Sequence, residues 1–137
     1  VQFAIAIPIV KRDLPQGLVT GWAALSTDAQ GRPVVDHQGD HIPIAELERA
    51  VIKAFSATGG KGVVGDMHRT SGHADVVESI VVSKAKREAL GFGSGPEGWV
   101  VTLKVHDPEL LAQITSGEKM ELSIRGTAVR VPMEVVA

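Results

Sequence analysis

Hydrophobic positions along this chain gather in short runs separated by polar and turn-forming residues, the pattern of strands. Seven such segments are rich in Val and Ile and bounded by Gly, Pro, Asp or Ser. They predict strands at about residues 2–10, 18–26, 62–68, 74–83, 98–106, 120–124 and 128–135. The first is apolar at nearly every position, which predicts cover on both faces. It contains Pro8 and is far too short to span a bilayer, so it reads as a strand and not as an anchor. In 74–83 a simple alternation puts Val76, Glu78 and Ile80 on one face and Val77, Ser79 and Val81 on the other.

Three segments change period. Over 43–56, Ile44, Leu47, Val51, Ile52 and Phe55 fall on one side of a 3.6-residue repeat, predicting an amphipathic helix. Residues 83–90 open on a capping Ser and run through Lys, Arg, Glu and Ala. Residues 107–116 carry Asp107 as N-cap, Pro108 at the first helical position and Glu109 in the first turn, and Gly117 follows.

Strands therefore outnumber helices, and no βαβ rhythm is visible. The expected class is α+β: mainly β with peripheral helices, a β-barrel or strongly curved sheet of about seven strands with about three helices. With 137 residues the chain is expected to form a single domain, 1–137. The Gly-rich loops at 58–62 and 91–95 match neither a P-loop nor a dinucleotide fingerprint.

Composition narrows the chemistry. The formal net charge is −2, so no overall basic footprint for nucleic acid is present. Aromatic residues make up only 4%, a poor supply for stacking on bases. There is no Cys, which excludes disulfides, thiolate catalysis and Cys-ligated zinc. A nucleophile must then come from Ser, Thr, Lys or a carboxylate. His68 ends the strand-like run Val63-Val-Gly-Asp-Met-His68, beside a loop, where a catalytic base is often placed. Ser123 lies in Lys119-Met-Glu-Leu-Ser-Ile-Arg-Gly126. Gly126 permits unusual backbone directions, and Arg125 brings positive charge toward a developing oxyanion. Taken singly, each is also an ordinary surface residue. Asp36, His37, Asp40 and His41 form the densest polar cluster. Their spacing fixes no ligand geometry, so the cluster reads as a polar loop and no metal or cofactor is assigned.

The order of segments carries more information than any one of them. It runs Gly21-Trp-Ala-Ala-Leu-Ser-Thr-Asp, Val35-Asp-His-Gln-Gly-Asp-His-Ile-Pro, Gly65-Asp-Met-His68, Val77-Glu-Ser79, Glu97-Gly-Trp-Val100, Ser116-Gly-Glu-Lys-Met and Leu122-Ser-Ile124. Over about residues 17–126 this set resembles the XkdF-type phage serine proteases, relatives of the prohead maturation proteases. The resemblance implies an assemblin-like β-barrel and a serine endopeptidase of capsid assembly. It carries the base onto His68 and the nucleophile onto Ser123. It also implies a third, orienting residue: Glu78 from the matching Val-Glu-Ser segment is favoured, with His73 and Glu134 as the other choices. The family pattern around the nucleophile is more often Phe-Ser-Ile-Gly-Gly; here Arg125 stands in place of a Gly.

The implied reaction is peptide hydrolysis through an acyl-enzyme, with backbone N–H groups near Arg125 and Gly126 holding the oxyanion. The implied substrates are phage scaffold and capsid proteins and the protease's own chain, inside the assembling prohead in the host cytoplasm. No nucleic-acid or membrane partner is expected, and a homodimer is left open because assemblin relatives dimerise. Two rival readings stand beside this one. The first is a non-catalytic capsid-assembly or scaffolding module that keeps the protease fold. The second is a metal hydrolase built on Asp36, His37, Asp40 and His41.

Overall fold

The structure is a computed structural model that describes residues 2–13, 15–36, 39–57, 74–116 and 121–127, with the backbone alone for 2–10, 57, 74, 114, 115 and 121–127. Five strands and three helices are found among them, in the order β1 (Gln2–Asp13), β2 (Leu18–Thr27), α1 (Ile44–Ala57), β3 (Ala74–Val82), α2 (Lys84–Leu90), β4 (Glu97–Val105), α3 (Pro108–Ser116) and β5 (Glu121–Thr127).

Strands β3, β4, β2 and β1 lie side by side in that order in one antiparallel sheet, and β5 extends it beyond β1. Strand β1 serves two partners along its length. Residues 2–8 pair with β5, and residues 9–13 pair with β2. The outer strands β3 and β5 do not pair with each other, so the sheet is open. This corrects the expected barrel of about seven strands, because closure requires the two outer strands to share a ladder. Two of the seven expected strands, 62–68 and 128–135, lie outside the described residues. The ladders shift register four times: once in β1/β2, twice in β2/β4 and once in β3/β4. Each such irregularity adds local twist and bends its strand.

Alternation on β4 assigns the two faces. Trp99, Val101, Leu103 and Val105 are buried and point to one side. Helix α1 covers the Trp99–Val101 end through Leu47, Val51, Ala54 and Phe55, together with Ala23, Ala24 and Val81. Helix α3 covers the other end through Leu110 and Leu111, against Val19, Leu103 and Val105. Both helices therefore sit on one face. On the opposite face the Thr20 and Thr102 hydroxyls are 2.8 Å apart and hydrogen-bonded.

The helix ends follow from their sequences. The Ser83 hydroxyl accepts the Lys86 N–H at 3.1 Å, and Gly91, at φ 71°, closes α2. The Glu97 carboxylate accepts the Lys84 N–H at 2.7 Å and the Thr27 hydroxyl at 3.3 Å, tying the start of α2 to the ends of β2 and β4. Asp107 accepts the Glu109 N–H at 2.9 Å, and Pro108 occupies the first helical position. One member of the α1 stripe departs from expectation: Ile52 is 58% exposed. The sheet takes up Leu47, Val51 and Phe55, and Ile52, one residue round from Val51, is left on the flank of the helix.

Gly98 is required for close approach. A Cβ there would lie 2.3 Å from the Ala24 carbonyl oxygen, 3.0 Å from Leu25 Cα and 3.1 Å from Trp22 Cε3. Two of these three neighbours are backbone atoms of the paired strand, which cannot swing aside. Gly98→Ala is expected to cost about 1–3 kcal/mol or more through overpacking. Urea unfolding followed by circular dichroism would show a lowered midpoint; an unchanged midpoint would mean that β2 and β4 separate easily at this position.

Candidate functional site

Ser123 stands at the middle of β5, in register with Ala6 of β1. Next to it on the ladder, Arg125 pairs with Ala4 and Gly126 with Phe3. In an antiparallel ladder, successive residues direct their N–H groups to opposite edges. Of Arg125 and Gly126, then, only one backbone N–H can point away from β1 and be available to an oxyanion. The expectation that both supply donors is narrowed to one of the pair.

His68 and His73 lie outside the described residues, as does Glu134. Glu78 is on β3, opposite Thr102, and is exposed. The simple alternation expected for this strand does not hold. The β3/β4 ladder shifts between Val76 and Glu78, so Val77 is an extra residue in the strand. As a result Val76 and Val81 both reach the helix-covered core, and the Ser79 hydroxyl accepts the Trp99 indole N–H at 2.8 Å on that same side. Glu78 is turned to the other face, with Thr102.

Glu78 and Ser123 are not brought together by the sheet. They occupy its two outer strands, with β4, β2 and β1 between them. At the usual strand spacing of about 4.8 Å, this is roughly 19 Å along the sheet surface. That exceeds the span of two hydrogen bonds and one imidazole. Glu78 can complete a relay to Ser123 only where the sheet curls edge toward edge.

The polar loop before α1 is closed by its own backbone. The Asp36 carboxylate accepts the Asp40 N–H at 2.9 Å, and His41 Nδ1 donates to the Val34 carbonyl at 3.2 Å. His37 lies outside the described residues. Among the described residues, no three His, Asp or Glu side chains converge as a metal site. The Asp36 side chain thus closes the loop onto the Asp40 backbone, four residues on.

The structure adds one pair that sequence reasoning did not single out. His106 Nε2 lies 2.7 Å from Asp75 Oδ2, and both side chains are exposed. The two residues are 31 positions apart and meet because β3 and β4 pair Asp75 with Lys104, just before His106. No feature of the sequence marks this contact apart from the pairing itself. An exposed pair of this kind adds little stability. Chemically it is an oriented imidazole, without a hydroxyl bonded to it among the described residues.

None of the described helices is long and apolar enough to cross a membrane. In comparisons with protein-family models, curated proteins and solved structures, the chain matches none of them.

Proposed function

We propose that this chain is a serine endopeptidase of the phage prohead type, cleaving scaffold and capsid-protein segments and its own chain. The observation that carries the reading is the ordered set of segments ending in Gly65-Asp-Met-His68 and Leu122-Ser-Ile124. The backbone supports it locally. Ser123 sits within a regular strand, which holds a nucleophile more firmly than a loop would. Its partner across the ladder is Ala6.

In the proposed reaction Ser123 Oγ attacks the scissile carbonyl. His68 takes the hydroxyl proton and returns it to the leaving amine; water then releases the acyl group by the same route in reverse. One outward backbone N–H from Arg125 or Gly126 contributes to binding the oxyanion. The orienting group is drawn from His73, Glu134 and Glu78. The position of Glu78 on the outer strand opposite β5 counts against it in that role.

The test is the pH dependence of scaffold cleavage. A neutral imidazole is the active base, so activity should rise with pH as that imidazole loses its proton. His68→Gln should remove that limb together with nearly all activity. A variant with the same profile as the parent would assign the base elsewhere. Full processing with no Ser or His dependence would favour the non-catalytic assembly reading for this chain.

A further inference from the structure

The described loops differ in how firmly their own bonds hold them. In 28–32 the Asp28 carboxylate accepts the Gln30 N–H, the Arg32 N–H and Arg32 Nε, each at 2.9 Å. In 36–40 the Asp36 carboxylate accepts the Asp40 N–H at 2.9 Å, and the Asp36 N–H donates to the Asp40 carbonyl at the same distance. The loop between α2 and β4 has no such bracing at its tip. Residues 91–94 are all exposed, and among the described residues Gly93, Ser94 and Gly95 make no hydrogen bond. The tip also stands clear of the body: a Cβ at Gly91 or Gly93 would meet no atom within 4 Å. Phe92, between them, is 52% exposed, and no residue from Ala89 to Pro96 is charged.

An endopeptidase needs more than exposure. It takes its substrate as an extended segment, so a folded chain is cut where it opens locally at low cost. Opening this tip releases two bonds: Phe92 N–H to the Arg87 carbonyl at 2.9 Å, and Gly91 N–H to the Glu88 carbonyl at 3.4 Å. Helix α2 has no buried residue, so unwinding its last turn takes no apolar side chain out of the core. Arg87 Nε donates to the Pro96 carbonyl at 2.8 Å and the Lys84 N–H to the Glu97 carboxylate at 2.7 Å. These two bonds close the loop at its base and leave 91–95 outside.

We propose that this tip is where the chain is cut by its own activity, at one of the bonds between Phe92 and Gly95. The inference rests on the serine-endopeptidase reading above. In the cut, Ser123 Oγ bonds to the scissile carbonyl carbon, the carbon–nitrogen bond breaks, and the amine leaves with the hydroxyl proton. Water then gives its OH to the acyl carbon and its proton to Ser123, so the products are one new carboxyl and one new amine. The sheet holds the two pieces together, because β4 of the second lies between β2 and β3 of the first, and β5 pairs with β1. His68 and Ser123 then belong to different pieces of one assembly.

The test incubates the full chain at the pH at which it processes scaffold and identifies fragments by mass spectrometry. Two fragments that meet within 92–95 should form in the parent and be absent in Ser123→Ala. Ser94→Pro removes an N–H that has no partner in the fold but that an extended substrate donates to its protease. It should slow the cut by about tenfold or more while scaffold processing stays unchanged. A separate arm digests folded Ser123→Ala briefly with added subtilisin, which should open 92–95 before 28–32 or 36–40. If it opens either of those first, the tip is not the weakly held loop and the inference fails whatever the chain's own activity. If the parent processes scaffold but leaves 92–95 intact, the inference is overturned and the endopeptidase reading stands. If subtilisin opens the tip but the parent cuts neither scaffold nor itself, the endopeptidase reading has failed and the inference falls with it.

Discussion

Ser123→Ala is expected to abolish proteolysis while leaving the fold intact. The substitution removes one hydroxyl from the middle of β5 and leaves the β1/β5 ladder its full set of backbone bonds. Its effect on stability should stay within about 1–2 kcal/mol. Loss of the nucleophile in a Ser–His hydrolase lowers turnover on the order of 10⁴-fold or more, because no other group takes its place. Co-expression with the scaffold protein, followed by gel analysis of processing, reads the outcome directly. Unchanged processing by a folded variant would remove Ser123 from the mechanism. A variant that failed to fold would instead give β5 a structural role larger than its one hydroxyl suggests, and circular dichroism separates these results.

The largest expected effect on stability is at Trp99. This residue is 6% exposed and belongs to the core cluster with Ala23, Ala24, Leu47, Val81 and Val101. Its indole N–H is spent on the Ser79 hydroxyl at 2.8 Å, so the ring fixes β3 to β4 as well as filling space under α1. Trp99→Ala removes the ring and leaves a cavity between sheet and helix, for an expected cost of about 3–5 kcal/mol. Against a typical total of about 5–15 kcal/mol, this brings the domain close to unfolding at room temperature. Trp99→Phe keeps an aromatic ring and loses the hydrogen bond and part of the volume, so it should cost clearly less. Urea unfolding of both variants gives the comparison. A cost below about 1 kcal/mol for the alanine variant would mean that α1 is not anchored through this residue.

The elements that could be read from the sequence were those set by local chemistry. Ser83 and the pair Asp107-Pro108 mark helix starts because a side-chain oxygen or a fixed φ acts within one turn. The Leu47, Val51 and Phe55 stripe locates the face of α1 that meets the sheet. What could not be read was set by pairing between distant strands. The extra residue at Val77 reverses the side taken by Val76 relative to Glu78, and no residue in the segment announces it. The same holds for the Asp75–His106 contact. Counting Val-rich segments suggests a barrel or strongly curved sheet of about seven strands, but strand number alone does not determine whether the two outer strands meet; here β3 and β5 end an open sheet. Ser123 is a candidate through a segment pattern, and its strand is legible from the apolar residues of 120–124. Its distance from Glu78 depends on sheet order, which the alternation does not encode.

The central claim is that Ser123 is an activated nucleophile. It is tested most directly by incubating the protein with a fluorophosphonate and mapping the modified residue by mass spectrometry of its peptides. The account predicts a single covalent adduct on Ser123, formed in the parent chain and lost in His68→Gln. An adduct confined to another hydroxyl, or none in a folded protein at the pH of maximal processing, would contradict it.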